Sequence, residues 1–201
     1  GQVVQSQFDP DGSTFQTKDI NRVITTPDKL FRPVDIKVGP DGGIYVADMY
    51  EPMIAHGQHF EGKIDKSNGR VYRLTAKDAK QLASFDLGKK SSAELVETLR
   101  HPNRWFRQTA LRLLADRRDA SVIPLLRDQI EKASGQFAVE CLWALYLSGG
   151  FNDDVATKML GHSDQFVRQW TVRLLCDERK VAPAIARQLV ELASREAYVY
   201  V

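Results

Sequence analysis

Apolar residues recur along this chain with two different periods. Up to about position 75 they come in short runs, β-branched or aromatic, bounded by turn-forming residues. Residues 3–8, VVQSQF, run into DPDG, and residues 33–38, PVDIKV, run into GPDGG; each turn favours a hairpin-like reversal. Residues 44–48, IYVAD, come next, followed by a long excursion over 49–68 and then by GRVYRL at 69–74, where apolar and polar positions alternate. This pattern predicts about four short antiparallel strands. Beyond position 90 the spacing turns helical. Ser91-Ser92-Ala93-Glu94 has the form of a capping box, after which Leu95, Val96 and Leu99 share one helical face. Trp105, Phe106, Ala110, Leu113 and Leu114 mark a second helix after His101-Pro102-Asn103.

An internal repeat organises the helical part. LRHPNRWFRQTALRLLAD at 99–116 aligns with LGHSDQFVRQWTVRLLCD at 160–177 at a constant offset of 61, with identities that include His101/His162 and Arg107/Arg168. FAVECLWAL at 137–145 fits between them, 31 residues after the first copy and 30 before the last, and a further helix pair starts at 181–192. Helical hairpins of about thirty residues in succession predict an α-solenoid, and the Arg/Ala and Leu-Leu pattern resembles HEAT repeats of a short type. Ala110, Cys141 and Thr171 then become equivalent, as do Leu114, Leu145 and Leu175, and all six are expected between the layers. Both cysteines, Cys141 and Cys176, are expected to be small interior residues.

In the first part, strand, GPDG turn, strand, loop and strand make the unit of a β-propeller blade. One blade cannot cover its own faces, so 1–75 reads as the closing blade region of a larger ring. The expected fold is thus α+β in separate parts: a partial propeller of antiparallel strands at 1–75, a linker at 76–90, and about three and a half HEAT-like repeats at 91–201. The linker is expected to lie on the first helix through Leu82, Phe85 and Leu87. GQVVQSQFDPDG lacks an initiator Met and a signal-peptide pattern, and EAYVYV stops where a second helix should begin, so both ends are expected to be cut.

Composition removes several classes of function. With 28 Lys+Arg against 26 Asp+Glu there is no strong field to attract a nucleic acid backbone. No window approaches the roughly 20 apolar residues of a membrane helix. The 2 cysteines lie in no CxxC or CxxCH context, which leaves this stretch without a zinc, iron–sulfur or covalent haem motif. No P-loop, GxGxxG or Ser-His-Asp arrangement stands in its required context.

FRPVDIKVGPDG, YVADMY and GRVYRL, within residues 31–74, together resemble the closing blade of the membrane-bound dehydrogenase family of planctomycete type. In that family a sorbosone/glucose-dehydrogenase-like propeller is followed by HEAT-like repeats and a cytochrome c domain, the order seen here over nearly the whole chain. The resemblance implies an exported, periplasmic oxidoreductase that oxidises a sugar or alcohol with pyrroloquinoline quinone and calcium and passes electrons to haem c in a downstream domain. Its partners would be that cytochrome c domain, or another protein held by the solenoid, and a carbohydrate substrate. The isolated chain is expected to be inactive, since the rest of the propeller and the haem motif lie outside it. The alternative is a non-catalytic scaffold binding a protein or a polysaccharide.

Chemistry-bearing residues concentrate on the excursion. His56 and His59, with Asp48 and Asp65 nearby and Glu51 and Glu61 between them, are the candidate metal or ligand loop: imidazoles three apart suit a transition metal or a general base, and the carboxylates suit calcium. The same side chains would equally serve to satisfy the loop's own backbone. Asp35 and Asp48, placed in or at the end of strands, either face a channel or accept turn amides. Arg70, which flanks Tyr72 together with Arg73, either meets an anionic cofactor or forms a salt bridge. His101 and His162 are expected to be turn residues of the scaffold, because a repeated placement is what a structural role requires.

Overall fold

The computed structural model describes residues 1–11, 14–53, 57, 61–62, 67–177, 179–198 and 200–201. The chain is mixed α+β: two small antiparallel sheets, then helices. It divides into two compact units, Gly1–Ala83 and Ser84–Val201.

In the first unit, β1 (Gln2–Asp11) pairs antiparallel with β2 (Thr14–Thr25), from Gln2↔Thr25 to Asp11↔Thr14. The expectation of about four strands is corrected here to five among the described residues, because TFQTKDINRVIT is a strand. It lacks an apolar alternation since nearly all of it is exposed, and only its pairing with β1 defines it. β3 (Pro33–Val38), β4 (Ile44–Asp48) and β5 (Arg70–Leu74) form a second sheet in the order β3-β4-β5. The β3–β4 turn is closed by Gly39 N–H donating to Gly43 O at 2.8 Å, and Gly42 at φ 75° takes the left-handed conformation that L side chains avoid. Asp41 receives Gly43 N–H, Tyr45 O–H and the Arg73 guanidinium. Burial works to raise its pKa, but these donors hold it below the usual carboxylate range. Among the described residues, Phe31 and Val46 are the buried apolar side chains of this unit, with the Tyr72 ring standing edge-on to Phe31 at 5.7 Å.

The second unit holds seven α-helices among the described residues: α1 (Ser92–Thr98), α2 (Arg104–Arg117), α3 (Ile123–Lys132), α4 (Gly135–Leu147), α5 (Asp153–Met159), α6 (Gln165–Cys176) and α7 (Pro183–Arg195). The capping box forms as its sequence requires: the Ser91 hydroxyl accepts Glu94 N–H, and the Glu94 carboxylate accepts Ser91 N–H at 2.8 Å. Helices pack in sequential pairs, α1 on α2, α3 on α4 and α5 on α6, while α2, α4 and α6 touch in order. Ala110, Cys141 and Thr171 are all 0% exposed, as equivalent small residues between packed helices must be. Burial pushes the Cys141 thiol up to about 12, so it stays protonated.

Three expectations for this unit are corrected. Cys176, at the last turn of α6, is exposed. Leu175 is half-buried, whereas Leu114 and Leu145 are sealed. Segment 84–90 docks on α2 rather than on the first helix. Phe85 stacks against Trp105 and Phe106, and Arg117 donates to Gly88 O and Lys90 O.

Candidate functional site

The excursion after β4 rises from a built base. Asp48, 4% exposed, uses Oδ1 to accept Arg32 N–H at 2.7 Å and Tyr50 N–H at 2.9 Å. Its Oδ2 is also buried and has no hydrogen-bond partner among the described residues. Arg32 reaches past it, donating through Nε to Glu51 O at 3.1 Å and through its guanidinium to Pro52 O and Lys29 O. Tyr50 is held at φ 55°, a conformation that costs a non-glycine residue about 1–3 kcal/mol and persists only where the surrounding contacts impose it. Arg70, at the start of β5 and opposite Asp48, places its guanidinium 3.7 Å from the Tyr50 ring centroid. The hydrogen bond to Tyr50, ahead of desolvation, keeps Arg70 firmly charged. Together Asp48, Arg32 and Arg70 fix where the excursion leaves the sheet and where it returns.

Asp35 has a different setting. It pairs with Ala47 across β3–β4, which puts it on the face of the sheet opposite to Asp48. It is exposed and bonded to Lys37 Nζ at 2.7 Å and to Ile36 N–H, and these two donors, Lys37 first, lower its pKa. Asp35 and Asp48 therefore do not converge on one ligand. His56, His59 and Asp65 lie outside the described residues. Among the described residues no group of three His, Cys, Asp or Glu side chains is placed to hold a metal ion. The described residues do not assemble a calcium site. Arg32 carried no signal in the sequence, because its importance comes from two carbonyls about twenty residues away.

In the helical unit the repeated side chains form a clasp. Arg107 Nη1 donates to His101 O and Pro102 O at 2.9 and 2.8 Å, and its Nε donates to Glu140 Oε1 at 3.0 Å. Arg168 repeats the pattern on His162 O and Ser163 O at 2.8 and 3.0 Å and grips Glu196 with two bonds. His162 accepts Asp164 N–H on Nδ1, which leaves Nε2 to donate to Ile130 O at 3.0 Å and tie the third hairpin to the second. His101 makes the matching bond from Asn103 N–H and lies against Phe106. These are scaffold positions, joined to carbonyls and to their own turns.

Beside α1 a groove of about 790 Å³ is lined by Ala93, His101, Phe106 and Leu125 with a mixed-charge rim. No helix of the described residues is long and apolar enough to cross a membrane.

No curated protein and no solved structure gives a match to this chain. Residues 1–78, within the sheet unit, are similar to a family described as a domain of unknown function, DUF7133.

Proposed function

We propose that this chain is the joint of an exported, propeller-type dehydrogenase. In this reading its sheets supply the closing blade of the β-propeller. Its HEAT-like hairpins form an α-solenoid that holds an electron-accepting domain, such as a cytochrome c, at a set position. The observation that carries the reading is the half-covered apolar face of β3-β4-β5. Ile36 and Val38 are 50% and 49% exposed, on the same face as Val46, which is sealed. A sheet facing water on one side carries polar residues there. A propeller blade instead presents apolar faces, which its neighbours cover.

In this reading the whole protein would remove two electrons and two protons from a sugar or alcohol, and pyrroloquinoline quinone bound with calcium would supply the acceptor. The test is dye reduction by the protein of the full reading frame, supplied with pyrroloquinoline quinone, Ca²⁺ and a panel of aldoses and alcohols. Turnover there, and none by these 201 residues alone, is expected. No turnover by the full-frame protein across the panel would sink the enzymatic reading.

A second reading, a scaffold binding a protein or a polysaccharide, is favoured by how the described polar residues are used. Asp35, Asp48, Arg70, Arg107 and Arg168 all bond to their own scaffold.

A further inference from the structure

Equivalent positions can be followed across the helices as well as along them. α2, α4 and α6 touch in order, with α4 in the middle. The ninth residue of each is Arg112, Trp143 and Arg173, at the 31- and 30-residue offsets of the repeat. Side chains at one position of stacked helices form a row across the stack, so Trp143 stands between two arginines. Both arginines are exposed, the Arg173 side chain by 73%. Trp143 is half-buried, its ring edge-on to Trp170 of α6 at 4.7 Å. One turn earlier the row keeps its form, with Gln108 and Gln169 on either side of Val139.

Over the first three turns of these helices the exposed charges have one sign. They are Arg104, Arg112 and Arg173, and the acids Asp116 and Asp177 follow only one turn beyond Arg112 and Arg173. Glu140 is sealed with Arg107, and Arg168 is held in its own clasp. Among the described residues, Arg104 and Arg112 have none of the carbonyl and carboxylate partners that hold Arg107 and Arg117 of the same helix. Arg173 meets Asp177 at 3.3 Å, an exposed contact weak enough for another carboxylate to replace. A helix face left to water is polar throughout. Here an indole stands where both neighbouring copies carry arginine, and aromatic and arginine side chains are the ones enriched at protein contacts.

The dimensions suit an extended chain. Packed helices lie about 8–10 Å apart, so the row spans about 16–20 Å. An extended segment turns its i, i+2 and i+4 side chains to one face over about 13–14 Å. The long arginine side chains, leaning inward, close the difference.

We propose that the row of Arg112, Trp143 and Arg173 is a docking surface for an acidic, extended segment of a partner protein lying across α2, α4 and α6. A carboxylate at i meets Arg112 and one at i+4 meets Arg173, each taking up to two guanidinium bonds, while an aromatic ring at i+2 lies on Trp143. The inference deepens the reading of the hairpins as a stack that holds a partner, and rests on it.

The test follows the fluorescence anisotropy of a labelled peptide with Glu-Thr-Phe-Thr-Glu at its centre, titrated with the full chain. Arg112→Ser and Arg173→Ser should each raise Kd about three- to five-fold, as should Gln for either glutamate or Ala for the phenylalanine of the peptide. Lys132→Ser, at the exposed end of α3, should leave Kd unchanged. No binding of the peptide by a parent protein that still melts cooperatively would overturn the docking proposal. Equal weakening by Lys132→Ser would also overturn it, since the attraction would then be to net charge. So would binding of polygalacturonate without binding of the peptide, which would make the partner a polysaccharide. The row is checked apart from binding by spin labels at Arg112→Cys and Arg173→Cys in a Cys176→Ser background, where the sealed Cys141 stays unlabelled. One narrow distance of about two helix spacings plus the label arms is expected. A broad distribution would overturn the stack reading itself.

Discussion

Arg107 and Glu140 show how narrowly a buried charge is tolerated in this molecule. Their side chains are 14% and 1% exposed, and each is placed by further bonds: Arg107 by two carbonyls, Glu140 by Gln136. Removing one partner leaves an uncompensated charge in a site that water barely reaches. Glu140→Ala should therefore cost about 3–5 kcal/mol in urea unfolding, and Arg107→Met with Glu140→Leu should recover most of that loss. A loss under about 1 kcal/mol in the single variant would mean that the pair is not buried in solution. Glu196 offers a pH test of the second clasp. Its bond to Arg168, the largest cause, together with Tyr198 N–H, holds its pKa at about 2 against an ordinary 4.5. A depressed carboxylate pKa stabilises the folded state above the unfolded value, and that contribution is lost as pH falls. Stability should thus drop as pH goes from about 4.5 toward 2, and Arg168→Gln should flatten that part of the profile measured by urea midpoints. An unchanged slope in the variant would contradict the assignment.

At the scale of elements, the helices are held by a register in which small and large residues alternate between layers. Ala110 and Leu145 are both 0% exposed, while Arg112, on the same helix as Ala110, is exposed. Ala110→Leu should overpack the contact and cost about 1–3 kcal/mol, and Leu145→Ala should open a cavity costing about 2–5 kcal/mol. Arg112→Ala should change little beyond its packed stem. Thermal melts of the three variants check the register, and an Ala110→Leu protein as stable as the parent would refute it. The strands lack such a ledger. β1 and β2 form a two-stranded ribbon with Phe8, Phe15 and Ile20 all more than half exposed, and a ribbon of this kind is marginal in water by itself.

Across the whole molecule the two units are unequally equipped. The second holds a core that runs from Leu87 through Leu95, Leu114, Leu126 and Leu145 to Leu174. In the first, the buried apolar residues among those described are Phe31 and Val46. Residues 84–201 produced alone should keep a helical spectrum and a cooperative thermal transition, whereas residues 1–83 alone should show neither a sharp transition nor protected amides beyond the β3-β4-β5 meander. Loss of the cooperative transition in 84–201 would mean that the helical unit depends on the sheets. The inequality accords with the proposal that the sheet unit belongs to a larger ring.

What the sequence determined by itself was what depends on neighbours a few residues away. GPDGG makes its turn because Gly42 takes a positive φ and Asp41 can bond back to Gly43. Ser91 and Glu94 cap α1 because they stand three apart. The 61-residue offset was legible because stacked hairpins repeat the same local demands: a histidine in the turn, an arginine on the next helix. Tertiary structure alone decided which equivalent positions are covered. Leu114, Leu145 and Leu175 are the same residue in the same place, yet the first two are sealed and the third, packed beside Ile185 and Leu192, is half-buried. It also decided what the polar candidates do. Asp48 was legible as an acid at a strand end, but its bond to Arg32 N–H spans sixteen residues, and no local spacing encodes that reach. β2 leaves no periodic signal for the same reason: its structure lies in its pairing with β1, while its side chains mostly face water. Burial and pairing across the chain are properties of proximity in space, which periodicity records only where the same contacts recur.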